Sequence, residues 1–404
     1  MTTAERGQAD GEPVGPGERA ADAAPNLTPP PGNPRFPLFD SLRAIAALCV
    51  FAGHTVTGTV SLARHPYLFE LATQVAYEGV AIFFLLSGFL LYRPFLTARA
   101  GGRPVSLVDY TRRRVLRIVP AYWVALTVCL VFGFVGGVTT GNWWIFYGFG
   151  QTYSFSTIGS GIGAAWTLCV EASFYAVLPL FALVAARLAG RGRSVRGDFG
   201  LLVVLAAASL AFRQHFSSFA DLATASTLPG MFFWFALGMG LALASVTGRA
   251  LAAIRRFTRR LGTWPGLSWI VALAVFAAAH ELQAKAALTP ESAGTHVLYG
   301  LAAFFLLLPA VFDDHAGGLV RRFLGLPGLA WIGLISYSFY LYHTIVIAQL
   351  DQLAVDHDLP LRCPIVTVAA LVISLTAAAA SFYLLERPLM RLRSRRRASP
   401  PPRP

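Results

Sequence analysis

Residues 36–55 read FPLFDSLRAIAALCVFAGHT. This is an apolar run of helical length with Arg43 near one end and His54 near the other. At 100° per residue their spacing closes three turns plus about 20°, so both side chains lie on one stripe, roughly 16 Å apart along the axis. Ionisable groups inside a membrane helix are costly and face a cavity or a partner. A helix carrying two of them on one stripe therefore aims that stripe into a bundle. Asp40 lies one turn before Arg43 and is placed to pair with it.

That this helix crosses a membrane follows from the rest of the chain. Of its 404 residues 55% are hydrophobic and 13% are charged, where a soluble domain carries about 25% charged residues. The mean hydropathy is +0.58. Ten apolar runs approach the roughly 20 residues that a bilayer requires: 37–58, 77–97, 119–138, 164–186, 198–213, 228–247, 266–284, 296–312, 330–350 and 364–385. The expected fold is an all-α polytopic membrane protein of about ten transmembrane helices. Residues 1–35, rich in Pro, Gly, Ala and acids, read as a disordered cytoplasmic tail with no secretory signal peptide. Residues 36–390 read as the transmembrane domain and 391–404 as a basic cytoplasmic tail.

The net charge of +13 could point to nucleic acid. The arginines, however, sit in short clusters between apolar runs, which is the positive-inside signal of a lipid-embedded chain and not a nucleic-acid surface. With the N-terminus inside, the cytoplasmic segments hold 28 of the 33 Lys and Arg, and the external loops hold Arg64, Arg213, Lys285 and Arg362. That asymmetry predicts an even number of spans with both termini cytoplasmic. Cys49, Cys129, Cys169 and Cys363 are far apart, without metal-ligand spacing, and read as small buried hydrophobes. No H-E-x-x-H pattern occurs, so no metal site and no permanently bound cofactor are expected.

Four further places carry chemistry. The second run, GVAIFFLLSGFLL, has Ser87-Gly88 at its middle, which reads as close helix packing. The loop 93–117 ends in YTRRRVLRIVPAYW, where Arg114 and Arg117 are one turn apart. Paired guanidiniums suit phosphate, and equally suit anionic headgroups as a topogenic cluster. Glu171 lies about seven residues inside the fourth span, at a depth like that of His54, and the two are natural partners. His343 falls in the outer half of the ninth span beside Tyr337, Tyr340 and Tyr342 and shares a face with Tyr340; a helix-bridging role and a site role both fit it. Glu386-Arg387 reads as an anchor at the cytoplasmic face.

These motifs together resemble the integral-membrane acyltransferase 3 family from about Phe36 to Arg391. FDSLRAIAALCVFAGH carries the family's arginine and histidine spacing at Arg43 and His54. FFLLSGFLL, RVLRIVPAYW, WTLCVEASFY, ISYSFYLYH and the closing ERP follow in order. Ser41 stands where the family often has Gly, and Ala172 and Ser173 stand where it often has an acid or Gln. The stand-alone form, without a soluble hydrolase-like domain after residue 390, is expected.

The resemblance implies transfer of an acetyl or other short acyl group from acyl-CoA, a co-substrate, to a hydroxyl of a carbohydrate or a macrolide-type glycosylated metabolite. The geometry fits that chemistry: Arg114 and Arg117, with Arg43 at the pore mouth, suit the donor's phosphates. The expected catalytic set is His54, Glu171 and Arg43, with His54 as general base and Glu171 orienting or charging the imidazole; a covalent acyl-histidine is the alternative. His343, Tyr340 and Trp166 would then line the acceptor pocket. The Ala-, Gly- and Arg-rich composition with a single Lys fits a bacterial plasma-membrane protein of a high-GC genome. The rival function is a secondary transporter of a sugar or lipid-linked intermediate; the Arg43–His54 helix has no counterpart in the second half of the chain, which lowers that reading.

Overall fold

The computed structural model describes residues 36, 38–60, 64–189, 195–246, 252–285, 289, 291–312, 318–357 and 362–390. The tails 1–35 and 391–404, and His315, lie outside the described residues. No strand occurs among the described residues, and ten helices are long and apolar enough to cross a membrane. They are α1 Leu38–Thr59, α2 Pro66–Arg99, α3 Leu107–Val131, α4 Trp166–Ala189 and α5 Val195–His215. The second half holds α6 Leu228–Val246, α7 Pro265–Ala284, α8 Ala293–Val311, α9 Pro327–Asp356 and α10 Arg362–Ser381. The all-α, ten-helix expectation holds.

The largest shifts from the expected limits fall on α2 and α3. α2 runs for 34 residues, starting eleven before the expected span, with Pro66 in its first turn. Proline is favoured there because its missing N–H has no helical partner to lose. α3 starts at Leu107 and not at residue 119, because Ser106 caps it by accepting from the Asp109 N–H at 3.2 Å. Its first three turns carry Arg112, Arg113, Arg114 and Arg117, which depress hydropathy although the helix is continuous through them. Arg114 and Arg117 therefore sit on a bundle helix and not in a loop.

The bundle is arranged around α1, which packs chiefly against α2 and α9. α2 also carries α6 and α8, and α9 carries α10. Between apolar helices in lipid, close backbone approach replaces the hydrophobic effect as the source of association. Two glycines make that approach possible. A Cβ on Gly333 of α9 would lie 1.7 Å from the Asp40 carbonyl oxygen of α1, and one on Gly238 of α6 would lie 2.0 Å from the Leu85 carbonyl of α2. The outer surface is apolar: Ile270, Leu273, Val204, Val368 and Leu384 are all exposed. That surface is expected where lipid is the solvent. Residues 132–165 form an irregular segment with a short helix at Trp143–Tyr147.

Candidate active site

A cavity of about 600 Å³ opens among α1, α2, α3, α4 and α9. Its walls hold Asp40 and Arg43 near the start of α1, Arg93 and Thr97 near the end of α2, and Arg113 in the first half of α3. The mouth thus lies at the end of the bundle that carries the arginine-rich segments. Arg43, Arg93, Arg113, Arg114 and Arg117 all line it, against Asp40, Glu171 and Glu386. The lining is therefore net positive.

The arginines are only partly matched by acids. Arg43 Nη1 donates to Asp40 Oδ1 at 2.8 Å, as the one-turn spacing predicts, and Arg43 also lines the cavity. The Arg114 guanidinium lies 5.6 Å over the Tyr175 ring, and Arg93 lies 5.1 Å over the Phe36 ring. The Nε atoms of both Arg93 and Arg114 are buried without a hydrogen-bond partner. Guanidiniums held by aromatic faces, with donors left over, are suited to an anionic ligand.

Glu171 takes a different partner from the one the sequence pointed to. Its Oε1 accepts from Ser87 Oγ at 2.5 Å, and it faces the cavity. It does not pair with His54. The cause is helix packing: α1 lies on α9 and α2, whereas α4 meets α2 across the cavity. Ser87, read from the sequence as a packing residue, is thus a polar wall residue holding a carboxylate. Serine hydroxyls within apolar helices usually bond their own backbone, so no local pattern distinguishes this one.

His54 pairs with His343. His54 Nδ1 is 2.8 Å from His343 Nε2, and the rings stack with centroids 5.1 Å apart. His343 Nδ1 is 2.8 Å from the Tyr340 carbonyl oxygen. A carbonyl only accepts, so His343 carries its proton on Nδ1 and offers a lone pair at Nε2. His54 must then donate from Nδ1, which leaves its own lone pair on Nε2. The fold thereby fixes the tautomers of both rings. His343 is fully buried, with Phe339, Phe51 and Tyr340 rings around it.

Tyr340 connects the pair to the cavity. It lines the cavity, and its ring centroid is 5.4 Å from that of His343. Its hydroxyl donates to the Ala164 carbonyl at 3.0 Å and lies 2.8 Å from Thr167 Oγ1, while Phe83 packs edge-on against the ring. Trp166, the first residue of α4, packs half-buried against the main core and is not part of the cavity wall. Two further wall residues make bonds that the sequence does not indicate. Tyr337 donates to the Ile118 carbonyl at 2.7 Å and ties α9 to α3. Glu386, read as a surface anchor, is buried by the π-helical turn Phe382–Glu386 and accepts from Ser338 Oγ.

Known proteins are similar to this chain in sequence. The chain is 28% identical to Nodulation protein 10 of Rhizobium leguminosarum bv. viciae, over 88% of this chain and 94% of the relative. It is also 28% identical to Acyltransferase MdmB of Streptomyces mycarofaciens, over 91% of this chain and 95% of the relative. A shorter match, 29% identical over 37% of the chain, is to Peptidoglycan O-acetyltransferase OatA of Listeria monocytogenes, of whose length it spans 24%. No solved structure gives a significant match. The family profile for an acyltransferase domain, acyltransferase 3, covers residues 37–383. With nearly all of the helical bundle inside that match, the chain belongs to the acyltransferase 3 family.

Proposed function

We propose that this acyltransferase moves a short acyl group, acetyl or a near homologue, from acyl-CoA to a hydroxyl of a carbohydrate or glycosylated metabolite, at a bacterial plasma membrane. The observation that carries the reading is the fixed tautomer of His54, with its lone pair on Nε2, joined through His343 to Tyr340 at the wall of an arginine-lined cavity that neither histidine itself lines.

The donor's phosphates match the arginine lining, and the charge bias supports a mouth on the cytoplasmic side, where acyl-CoA is made. Arg114 and Arg117 would take the phosphates, with Arg43 further along the wall. A spacing of roughly 16 Å along α1 between Arg43 and His54 is of the order of a pantetheine arm. The acceptor oxygen attacks the thioester carbonyl and gives its proton to His54 Nε2; the C–S bond breaks, and the coenzyme thiolate takes that proton from the imidazolium. His343 orients His54 and disperses its charge towards the Tyr340 carbonyl, as the third group of a catalytic triad does. Glu171, held by Ser87, is better placed to position the arginine wall than to orient the imidazole.

Support for the acceptor class comes from relatives' names, which include a peptidoglycan O-acetyltransferase and an exopolysaccharide production protein. Support for a small acyl group comes from the aromatic end of the cavity at Phe83 and Tyr340. The test is thiol release from acetyl-CoA by the purified chain. Release that needs an added hydroxyl acceptor and vanishes in His54→Ala upholds the reading; equal release by His54→Ala overturns it.

A further inference from the structure

Six buried polar atoms without hydrogen-bond partners collect in a part of the bundle that the proposed chemistry leaves unused. They are both carboxylate oxygens of Glu78 on α2, Nε of Arg213 on α5, Nε2 of His280 on α7 and both ring nitrogens of His296 on α8. Glu78 is 6% exposed, Arg213 2% and His296 1%. Arg213 Nη1 donates to the Ala225 carbonyl at 3.3 Å, which leaves its Nε over. Within a membrane span an acid and an imidazole left without partners, beside a guanidinium with a donor to spare, mark a built polar site.

These groups belong together. Arg213 is near enough to His296, Tyr77 and Tyr299 to act on them electrostatically, as Glu78 is to Tyr299. The Tyr77 and Tyr299 rings are nearly parallel, at 9°, with centroids 6.4 Å apart. His296 stacks on Trp234 at 3.9 Å, and Gln283 donates to the Tyr299 hydroxyl at 2.9 Å. Arg213, Gln283 and His296 lie within a turn of the ends of α5, α7 and α8, at the end of the bundle opposite the arginine-lined mouth.

The site also has the right depth. A Cβ on Gly53, the neighbour of His54, would meet the Ala72 carbonyl at 2.5 Å and the Ala76 Cβ at 2.6 Å. Tyr77 and Glu78 follow Ala76 directly, and a Cβ on Gly79 would meet Cys49 and Val50, so they stand about one turn along α1 from the histidine pair. A carboxylate that accepts from hydroxyls, cationic and imidazole donors, and flat aromatic faces form the donor set that carbohydrates use. Phosphorylated ligands are disfavoured here by Glu78 and by Glu291, which also acts electrostatically on Arg213.

We propose that Glu78, Arg213 and His296 form a binding site for a carbohydrate-class hydroxylated ligand, entered from the end opposite the arginine-lined cavity, and that the acceptor is held there. The second clause rests on the acyl-transfer reading above; the binding itself does not.

The experiment uses the purified full chain without acyl donor, titrated with the methyl glycosides of glucose, rhamnose and N-acetylglucosamine. Tryptophan emission is the readout, because Trp234 lies against His296. The expected result is a saturable change with at least one glycoside, lost in Trp234→Phe and weakened at least about tenfold in Glu78→Gln, while Gly328→Ala, whose added Cβ meets nothing within 4 Å, binds normally. Should Glu78→Gln not purify as a monodisperse protein, Tyr299→Phe carries the same expectation. No saturable response with any glycoside up to about 50 mM, well above a millimolar Kd, or binding untouched by these substitutions in folded protein, overturns the proposal. Thiol release in His54→Ala is read separately, so failure of the acyl-transfer reading and failure of this site are told apart.

Discussion

His343 Nε2 accepts from His54 Nδ1 at 2.8 Å, and this bond exists in that direction because the Tyr340 carbonyl holds the proton of His343 on its other nitrogen. Two residues 289 positions apart are thus coupled through one turn of α9. His343→Ala is expected to lower kcat by about 10²-fold with the acyl-CoA KM within about twofold, since it releases the orientation of the base and touches no donor group. His343→Gln, whose amide can accept from His54 and donate to Tyr340, should recover part of the loss. Equal rates for His343→Ala and wild type, or no difference between Ala and Gln, would break the coupling.

Arg114 stands over Tyr175 with an unmatched buried Nε, facing the cavity. Arg114→Ala should raise the acyl-CoA KM at least about tenfold and leave the acceptor KM nearly unchanged, because a lost charge-assisted hydrogen bond is worth about 1.5–3 kcal/mol. The same cluster predicts a donor KM that rises severalfold as ionic strength goes from about 0.05 to about 0.5 M, where the screening length shrinks below about 5 Å. An unchanged donor KM in the variant would return Arg114 to a purely topogenic role.

The pairing of Glu171 with Ser87 separates two roles for the acid. If Glu171 positions the arginine wall, Glu171→Gln and Ser87→Ala shift the donor KM by several-fold and leave kcat within about threefold. A drop in kcat near that of His54→Ala, with the donor KM unmoved, would instead make Glu171 the orienting acid that the sequence alone pointed to. Initial-rate kinetics over a donor series distinguishes the two.

The legibility of the chain follows from the range of each signal. The ten helices and the Asp40–Arg43 pair were readable because hydropathy and one-turn spacing act along the chain. The start of α3 was misplaced by twelve residues because Arg113, Arg114 and Arg117 face a polar cavity inside the bundle, a circumstance that hydropathy treats as leaving the membrane. The partners of His54 and Glu171 were not readable at all. Equal depth gives two candidates a common layer, but which side of α1 each neighbour occupies is decided by the packing of α1 on α9, seated through Gly333.

That seating can be tested by itself. Gly333→Ala puts a Cβ 1.7 Å from the Asp40 carbonyl oxygen and forces α1 and α9 apart, whereas Gly328, in the same helix, has nothing within 4 Å of its added Cβ. Gly333→Ala should cost more than about 2 kcal/mol and lose monodisperse protein on extraction. Gly328→Ala should be neutral or stabilising by up to about 1 kcal/mol. Size-exclusion profiles and melting in detergent compare them directly, and indistinguishable behaviour would contradict the close α1–α9 contact.

The central claim is tested most directly by supplying acyl-labelled acetyl-CoA to membranes bearing the chain, together with an extract of host glycans and metabolites, and searching by mass spectrometry for labelled products. A labelled, alkali-labile ester on a hydroxylated product is expected with wild type, and none with His54→Ala. Label in equal amounts from both proteins would contradict the claim.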